Sequence, residues 1–350
     1  MNLLRKCLVA GAVSSLLMSS VGVWAQAAPT TPAAVPVAPV ATPKPPELRM
    51  RVDEPFVFAA FGDLRETETN NHTSSDPERR QAIIKAMSDL NPSFILVSGD
   101  LTLSGANAQD WNEWDQETAE WKKKQIPVLP VLGNHDVNGG LSGALKNYFD
   151  RFPLLQQNRY YSARTGHVQI FCLDSTQPTA SGPQFDWLKD KLGHLPKEID
   201  FVVFLIHHPP LTHSSDRLFG GGHSTRPSEM ALGHWLEEMQ GKSSAKFVVI
   251  AGHVHNYERY ERNQVLYIVS GGGGATPYEI KRSDQDGYKD QGPSYHYLRI
   301  SVNGSQMRIG MEKLQMINGK AFWNERDMIS LTGANPHGAE KPSHTLPKDQ

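Results

Sequence analysis

The chain contains little cysteine and almost no net charge. The 350 residues include two cysteines, Cys7 and Cys172. Because Cys7 lies in a segment that we expect to be cleaved off, the mature chain would keep Cys172 alone and could form no internal disulfide. Cys172 lies in the strand-like segment Val168–Leu173, where a buried and inert thiol is expected. The 37 acidic and 35 basic side chains nearly balance. The net charge therefore gives no indication of binding to nucleic acid or to a membrane surface.

The N-terminal residues have the pattern of a secretory leader. Arg5 and Lys6 precede an apolar stretch over residues 8–24, and Ala25-Gln26-Ala27 is a small-x-small cleavage site. A transmembrane anchor is the alternative, but the stretch is of marginal length and is interrupted by Gly and Ser. We therefore predict a signal peptide over residues 1–27, export to the periplasm or medium, and no stable membrane anchor after cleavage.

Composition divides the remainder into three parts. Residues 28–48 are rich in Ala, Pro, Val and Thr, which predicts an extended linker. Residues 49–331 carry the periodic apolar patterns and form the predicted folded domain. Residues 332–350 are polar without apolar periodicity, which predicts a poorly ordered tail.

Five apolar runs end in residue types that bind metals or phosphate. The runs and the residues that follow them are Phe56–Phe61 before Gly62-Asp63, Phe94–Ser98 before Gly99-Asp100, Val128–Leu132 before Gly133-Asn134-His135-Asp136, Phe201–Ile206 before His207-His208, and Lys246–Ala251 before Gly252-His253-Val254-His255. Near-continuous apolar runs of this length are typical of strands buried on both faces. In α/β sheets, ligands bind beyond the carboxyl ends of such strands, so we expect these residues to share one site.

Helix-like patterns separate these runs. The helical periodicity covers Pro77–Leu90, Gln109–Lys124, Phe185–Leu192 and Glu229–Met239. Tryptophans in the second of these stretches fall three or four residues apart, which favours a core-facing surface over a base-stacking one. The last third changes character, because Val265–Ser270, Tyr295–Val302 and Met307–Leu314 alternate like strands.

The five polar blocks, in this order, resemble the signature of calcineurin-like metallophosphoesterases. The run Gly252-His-Val-His-Asn-Tyr-Glu-Arg259 resembles the purple acid phosphatase branch more narrowly. The resemblance covers residues 55–313. It implies an α/β fold, a four-layer αββα sandwich of two mixed sheets flanked by helices, and the alternation of helix-like and strand-like segments agrees with that fold.

The resemblance implies a binuclear metal centre with ions about 3.5–4 Å apart. The implied ligands are Asp63, Asp100 and His255 for the first ion, and Asp100, Asn134, His207 and His253 for the second, with Asp100 as the bridge. Taken singly, Gly-Asp after a strand is most often a turn, and a lone histidine is often a core residue. Oxygen and imidazole donors together suit Fe, Mn or Zn without choosing among them.

Two neighbouring residues of the third block have roles that the resemblance implies. His135 would lie beside the phosphate and assist the leaving oxygen, by protonation or by charge stabilisation. Asp136 would hold the His135 ring in orientation. In the fourth block, the family spacing His-x-Pro selects His207 over His208, and the alternation of strand side chains predicts that His208 points away.

The first block departs from the family pattern. Most relatives have Asp-x-His, where this chain has Asp63-Leu64-Arg65, and arginine stays protonated and cannot replace that ligand. Arg65 is therefore a candidate phosphate contact, with a surface ion pair as the alternative. Purple acid phosphatases owe their colour to a tyrosinate on ferric iron, three residues after the bridging aspartate, and Leu103 stands there. Water, a backbone carbonyl or His72 could complete the first site.

Residues 211–226 follow the His207 strand and form a predicted loop over the site, from which His213 is a second candidate substrate contact. We expect an exported phosphoesterase that hydrolyses small phosphate esters, monoesters above all, by attack of a metal-bound hydroxide. The alternatives are a phosphodiesterase, including one for cyclic nucleotides, and a non-catalytic module that binds metal or a phospho-ligand. The missing first-block histidine favours the module, and the intact His135-Asp136 pair argues against it.

Overall fold

The structure is a computed structural model, and it describes residues 44–67, 71–214, 223–290 and 292–335. The predicted signal peptide, most of the predicted linker, most of the predicted tail and part of the 211–226 loop lie outside the described residues. None of the helices within these ranges has both the length and the apolar character that a membrane crossing requires.

The described residues form thirteen strands and six α-helices. The strands are β1 (Glu47–Arg49), β2 (Phe56–Phe61), β3 (Ile95–Val97), β4 (Val128–Pro130), β5 (Tyr161–Thr165), β6 (Val168–Cys172), β7 (Phe201–Ile206), β8 (Lys246–Ala251), β9 (Tyr257–Arg262), β10 (Val265–Ser270), β11 (His296–Asn303), β12 (Gln306–Ile317) and β13 (Lys320–Thr332). The helices are α1 (Pro77–Leu90), α2 (Ala108–Glu117), α3 (Ala119–Lys123), α4 (Leu141–Arg151), α5 (Gly182–Gly193) and α6 (Pro227–Gln240).

The strands build two mixed sheets. The first has the order β1-β5-β6-β7-β8-β10-β9 and is parallel except at the β5–β6 and β10–β9 pairs. The second has the order β13-β12-β11-β2-β3-β4, with β2, β3 and β4 parallel and the other pairs antiparallel. All five apolar runs that precede the polar blocks are therefore strands whose carboxyl ends lie in parallel ladders.

The apolar runs are continuous because both faces of their strands are covered. In β7, Val203 and Leu205 belong to the large core that the two sheets share, whereas Val202 and Phe204 belong to a second core under α5 and α6. On the outer face of the second sheet, Phe61 of β2 packs edge-on against a tryptophan of α3, with ring centroids 6.1 Å apart. The expected αββα sandwich is confirmed.

Helix α1 has the bounds that its sequence pattern predicts. Asp76 caps it by accepting a hydrogen bond from the Arg79 N–H, and Pro77 follows at the first helical position. The stretch predicted as one helix over Gln109–Lys124 is instead two helices, α2 and α3, which meet at Thr118. The Thr118 hydroxyl donates to the Trp114 carbonyl 2.6 Å away, and its ψ of 6° departs from helical geometry.

Several elements lack a clear sequence signal. Strand β13 is an edge strand whose side chains are mostly exposed, so it shows no strong alternation of apolar and polar residues. Helix α4 begins after two glycines and buries little more than Ala144 and Tyr148. Strand β1 includes Glu47 and Leu48, which the sequence assigns to the linker, and Asn335 donates to Asp200 beyond the expected domain end.

The thiol of Cys172 is expected to be unreactive in the folded protein. The side chain is fully buried, and burial raises the pKa of the thiol to about 12, so little of the reactive thiolate forms at neutral pH. In a chain whose other cysteine is replaced, C7S, a disulfide thiol reagent should label no cysteine in buffer and one after denaturation. Rapid labelling of the native protein would contradict this expectation.

Candidate metal centre

The candidate site lies where the carboxyl ends of strands from both sheets meet. The second sheet supplies Asp63 after β2, Asp100 after β3 and Asn134 after β4, and the first sheet supplies His207 after β7. His253 and His255 follow β8 of the first sheet. All six side chains predicted as metal ligands therefore leave the two sheets at one end of the sandwich, which is the position expected for a ligand site in an α/β fold.

Three of these side chains converge on the ring of a fourth, His207. Its Nε2 lies 3.1 Å from Oδ1 of Asn134, 3.4 Å from Oδ1 of Asp100 and 3.2 Å from Nδ1 of His253. The other ring nitrogen, Nδ1, donates to the Ser98 carbonyl at 2.9 Å. Because that bond fixes the proton on Nδ1, the lone pair of Nε2 faces the other donors, as metal coordination requires.

A second group of donor atoms is formed by Asp63 and His255. Oδ1 of Asp63 and Nε2 of His255 lie 3.6 Å apart, and each is a buried atom without a hydrogen-bond partner. His255 donates from Nδ1 to the Thr276 carbonyl at 3.2 Å, so its Nε2 also carries a lone pair. Two buried electron-rich atoms that face each other without a partner are costly, and a cation placed between them would remove that cost.

Asp100 lies beside both groups, because one donor atom each from Asp63, Asp100 and His207 lie within 4.8 Å of one another. Its Oδ1 is the atom near His207, and it also accepts from the His135 N–H at 2.9 Å. Its Oδ2 faces Arg65, whose Nε and Nη2 are both 3.3 Å away. The Asp100 carboxylate is completely buried. This orientation is the one that a bridging carboxylate needs, and it also places Arg65 within the site.

The backbone is held in an uncommon conformation at three of the six residues. Asp63, Asp100 and His253 have φ angles of 61°, 52° and 69°, in the left-handed region. Such conformations cost on the order of 1–3 kcal/mol each and persist where the surrounding structure enforces them, often at functional sites. Gly133 and Gly252 permit the close packing, because a Cβ on either would collide with the Asp100 or the Asp63 carboxylate.

Burial shifts the protonation of these groups. It lowers the pKa of His207 and, together with the charge of Arg65, lowers the pKa of His255 well below the usual value. Burial and the neighbouring Asp100 raise the pKa of Asp63 well above its usual range. Burial also opposes ionisation of Asp100, but His207 and Arg65 hold the pKa of that carboxyl low. Burial thus favours the neutral, metal-binding form of His207 and His255, and a cation would favour ionised Asp63.

A family model matches the part of the sequence that contains these residues. The model of the calcineurin-like phosphoesterases matches residues 56–271. The chain belongs to the calcineurin-like phosphoesterase family. The match begins at β2 and ends just after β10, so it covers every strand that carries a predicted ligand, and it confirms the resemblance seen in the five blocks.

Two curated proteins show what the chain is similar to. Purple acid phosphatase 23 of Arabidopsis thaliana is 25% identical over 279 residues, which are 68% of this chain and 56% of that protein. A probable cyclic nucleotide phosphodiesterase of Synechococcus is 25% identical over 184 residues, 51% of this chain and 63% of that protein. The chain spans about half the length of the first curated relatives it matches.

The solved structure of a purple acid phosphatase from yellow lupin (Lupinus luteus) seeds has the same fold. It superposes with a TM-score of 0.60 at 17% identity and covers 79% of this chain and 53% of that one. At this identity the likeness concerns the arrangement of sheets and helices. It agrees with the two mixed sheets and flanking helices described above.

His135 is partly exposed and lies next to the six residues, since its backbone N–H donates to Asp100. Its ring is oriented differently from our expectation, because Nδ1 donates to the Leu103 carbonyl at 2.7 Å and not to Asp136. Asp136 is fully buried and accepts from the N–H groups of Gly133, Leu101 and Thr102 at 2.8, 2.8 and 3.2 Å. Asp136 therefore ties together the loops after β3 and β4. Burial and the nearby Asp100 raise its pKa to about 8.

His208 does not point away from the site. Its ring centroid lies 4.8 Å from that of His207 and 4.3 Å from that of His253. The expectation relied on strand alternation, but β7 ends at Ile206, so the alternation no longer applies. The Ser175 hydroxyl lies 2.8 Å from Nδ1 of His208 and accepts a hydrogen bond from the backbone N–H of His208. These contacts hold the ring beside the predicted metal ligands.

The two candidate substrate contacts occupy different places. Arg65 lies in the site, against Asp100. His213 is exposed, and its ring packs against Tyr260 at 5.0 Å between centroids. The histidine that the same loop brings to the site is His223, whose ring lies 4.9 Å from that of His253 and stacks on Tyr278 at 5.2 Å. In the sequence, the one sign that His223 could belong to the site was its position within the predicted 211–226 loop.

The other side chains that could complete the first group are exposed or hydrogen-bonded to other residues. His72 is exposed, next to a turn before α1. The hydroxyl of Tyr257 donates to Asp327 at 2.9 Å, and that of Tyr260 donates to Glu258 at 2.7 Å. Tyr278 lies near His255, with ring centroids 5.6 Å apart, but burial raises the pKa of its hydroxyl, which disfavours a tyrosinate.

The protein loaded with iron is expected to lack the strong visible absorption band of purple acid phosphatases. Leu103 stands at the position of their tyrosinate ligand, and it directs its carbonyl to His135. The check is an absorption spectrum of the ferric protein beside that of the Leu103→Tyr variant, which should gain a band. A purple wild-type protein would contradict this prediction and show that another tyrosine binds the iron.

Proposed function

We propose that the protein is an exported, metal-dependent hydrolase of phosphate esters, with monoesters as its main substrates. The observation that carries the proposal is the convergence of six donor side chains on one end of the sandwich, with Oδ1 of Asp63 and Nε2 of His255 left unpartnered. Membership of the calcineurin-like phosphoesterases supports it. The purple acid phosphatases among the relatives support the preference for monoesters.

The donor set includes ligands for both metal positions that the family implies. Asp63, His255 and Oδ2 of Asp100 would hold the first ion. The second ion would be held by Oδ1 of Asp100 together with Asn134, His207 and His253. Mixed oxygen and imidazole donors suit Fe, Mn or Zn. When bound, such ions would neutralise charge on the phosphate and activate a water molecule.

The remaining chemistry belongs to His135. Its Nδ1 proton is engaged by the Leu103 carbonyl, so Nε2 is the ring atom that can transfer a proton to a departing oxygen. Its backbone N–H holds Oδ1 of Asp100, which fixes the ring close to the bridging carboxylate. A histidine placed in this way can act as the general acid for the leaving group.

The test is hydrolysis by the mature chain after removal and return of metal. Chelator-treated protein should hydrolyse no ester, and Mn²⁺, Fe²⁺ or Zn²⁺ should restore activity toward nitrophenyl phosphate above that toward bis-nitrophenyl phosphate and a cyclic nucleotide. His207→Ala is the matched inactive control, and His194→Ala, a change at an exposed histidine after α5, should keep full activity. Metal binding without hydrolysis of any ester would refute catalysis and favour a binding module.

Each of the two alternative functions is favoured by a particular observation. The relative described as a cyclic nucleotide phosphodiesterase favours a diesterase, and the diester arms of the same panel test it. The contact of Arg65 with Asp100 favours a non-catalytic module, because a fixed cation already neutralises part of the site. Export is tested separately, by cell fractionation and N-terminal sequencing of the mature protein, which should begin after residue 27.

A further inference from the structure

Arg65 stands where most family members have a histidine ligand of the first metal ion, and it is built firmly into the site. Its side chain is 13% exposed, and both Nε and Nη2 lie 3.3 Å from Oδ2 of Asp100. Its backbone has a φ of 50°, in the left-handed region, and its N–H donates to the Asp100 carbonyl at 2.9 Å. The guanidinium is therefore held against Asp100 by the fold and is not a mobile surface charge.

Oδ2, which Arg65 contacts, is the oxygen of Asp100 that remains for a first ion, because Oδ1 faces the second position. Oδ1 of Asp100 faces His207, and His207 in turn faces Asn134, so the second position has its complete donor set without Oδ2. At the first position, Asp63 and His255 offer one free atom each. A metal ion there would share Oδ2 with the guanidinium and would be repelled by it.

We propose that Arg65 acts as a fixed cation in place of the first metal ion. The chain then binds one ion tightly, at the second position, and binds an ion at the first position at least about a hundredfold more weakly, because two like charges a few ångströms apart repel strongly in a buried site. The free atoms of Asp63 and His255 keep the first position available at high metal concentration. This inference rests on the proposed metal centre but not on any particular substrate.

The decisive variant is Arg65→His, which restores the family residue. Histidine tolerates the left-handed backbone better than most residues, and its neutral ring can bind a metal. Chelator-treated protein would be titrated with Mn²⁺ by equilibrium dialysis and elemental analysis, with electron paramagnetic resonance to distinguish isolated ions from coupled pairs. We expect about one tight equivalent with an isolated-ion signal in the wild type, and about two with a coupled signal in the variant.

Two further substitutions separate charge from ligation. Arg65→Lys keeps the positive charge and should still bind about one equivalent tightly, whereas Arg65→Met removes it and should strengthen the weak site at least about tenfold. In the Arg65→His background, His255→Ala should remove the added equivalent, which places it at the first position. Thermal unfolding identifies any variant that does not fold, and Arg65→Met answers the question if Arg65→His is such a variant.

The outcomes distinguish this inference from the proposed function. The role of Arg65 would be overturned if the wild type bound two ions with similar affinity. It would also be overturned if neither Arg65→His nor Arg65→Met, when folded, gained metal affinity. Either result would leave the proposed phosphoesterase activity intact. A wild type that binds no Mn²⁺ at either position would overturn both. Ester hydrolysis by the wild type with one equivalent bound would support both.

Discussion

Replacing Asp100 by asparagine is expected to remove metal from the site and to lower ester hydrolysis on the order of a thousandfold or more. Asp100 directs Oδ1 toward the His207 group and Oδ2 toward Arg65. An amide has one acceptor oxygen, and its NH₂ group would be turned toward cations or toward donors that need an acceptor. The variant therefore lacks both the negative charge of the carboxylate and the second acceptor oxygen that a bridge between two ions requires.

The measurement is elemental analysis of wild-type and variant proteins prepared in parallel, followed by turnover of nitrophenyl phosphate. Asp174→Asn is a matched control, because Asp174 is also a fully buried carboxylate beyond a strand of the first sheet and pairs with Arg159 at 2.7 Å. The control should keep its metal. An Asp100→Asn protein that retains the wild-type metal content would show that the assignment of the bridge is wrong.

Strand ends were the part of the site that the sequence could predict. Asp63, Asp100, Asn134 and His207 come directly after apolar runs, and the structure places each at the carboxyl end of a parallel strand. The prediction needs only a run of buried residues and a known geometry of parallel sheets. The elements that carry the ligands therefore agree with the sequence to within a residue or two.

The residues that the sequence placed less well lie in loops, where no periodicity applies. His208 turns into the histidine cluster because the strand has already ended, and His223 reaches His253 from a loop whose path is not encoded in any pattern. Asp136 was expected to orient His135, but its carboxylate accepts from three backbone N–H groups, and the His135 ring contacts the Leu103 carbonyl instead. Choices among competing hydrogen-bond partners depend on distances that only the folded chain defines.

Arg65 is a local departure from the family pattern, and the structure decides between the two roles that the sequence allowed for it. In the sequence it is an arginine in place of a ligand, compatible with a phosphate contact or a surface ion pair. In the fold it is mostly buried against Oδ2 of Asp100, so the surface pair is excluded by its burial. The contact engages a ligand oxygen that the first position could use, and it adds a positive charge to the site. If a phosphate ester binds there as proposed, that charge would help to neutralise it.

Replacing His135 by alanine is expected to lower turnover about a hundredfold or more while metal content stays near that of the wild type. Metal is retained because Asp100 is held by the backbone N–H of His135, which the substitution keeps. The loss should be smaller for nitrophenyl phosphate than for an alkyl phosphate, since nitrophenolate leaves without protonation. His135→Gln, whose amide can still donate to the Leu103 carbonyl, separates orientation from proton transfer and should lose about as much activity as alanine. Equal losses for both leaving groups would refute the general-acid role.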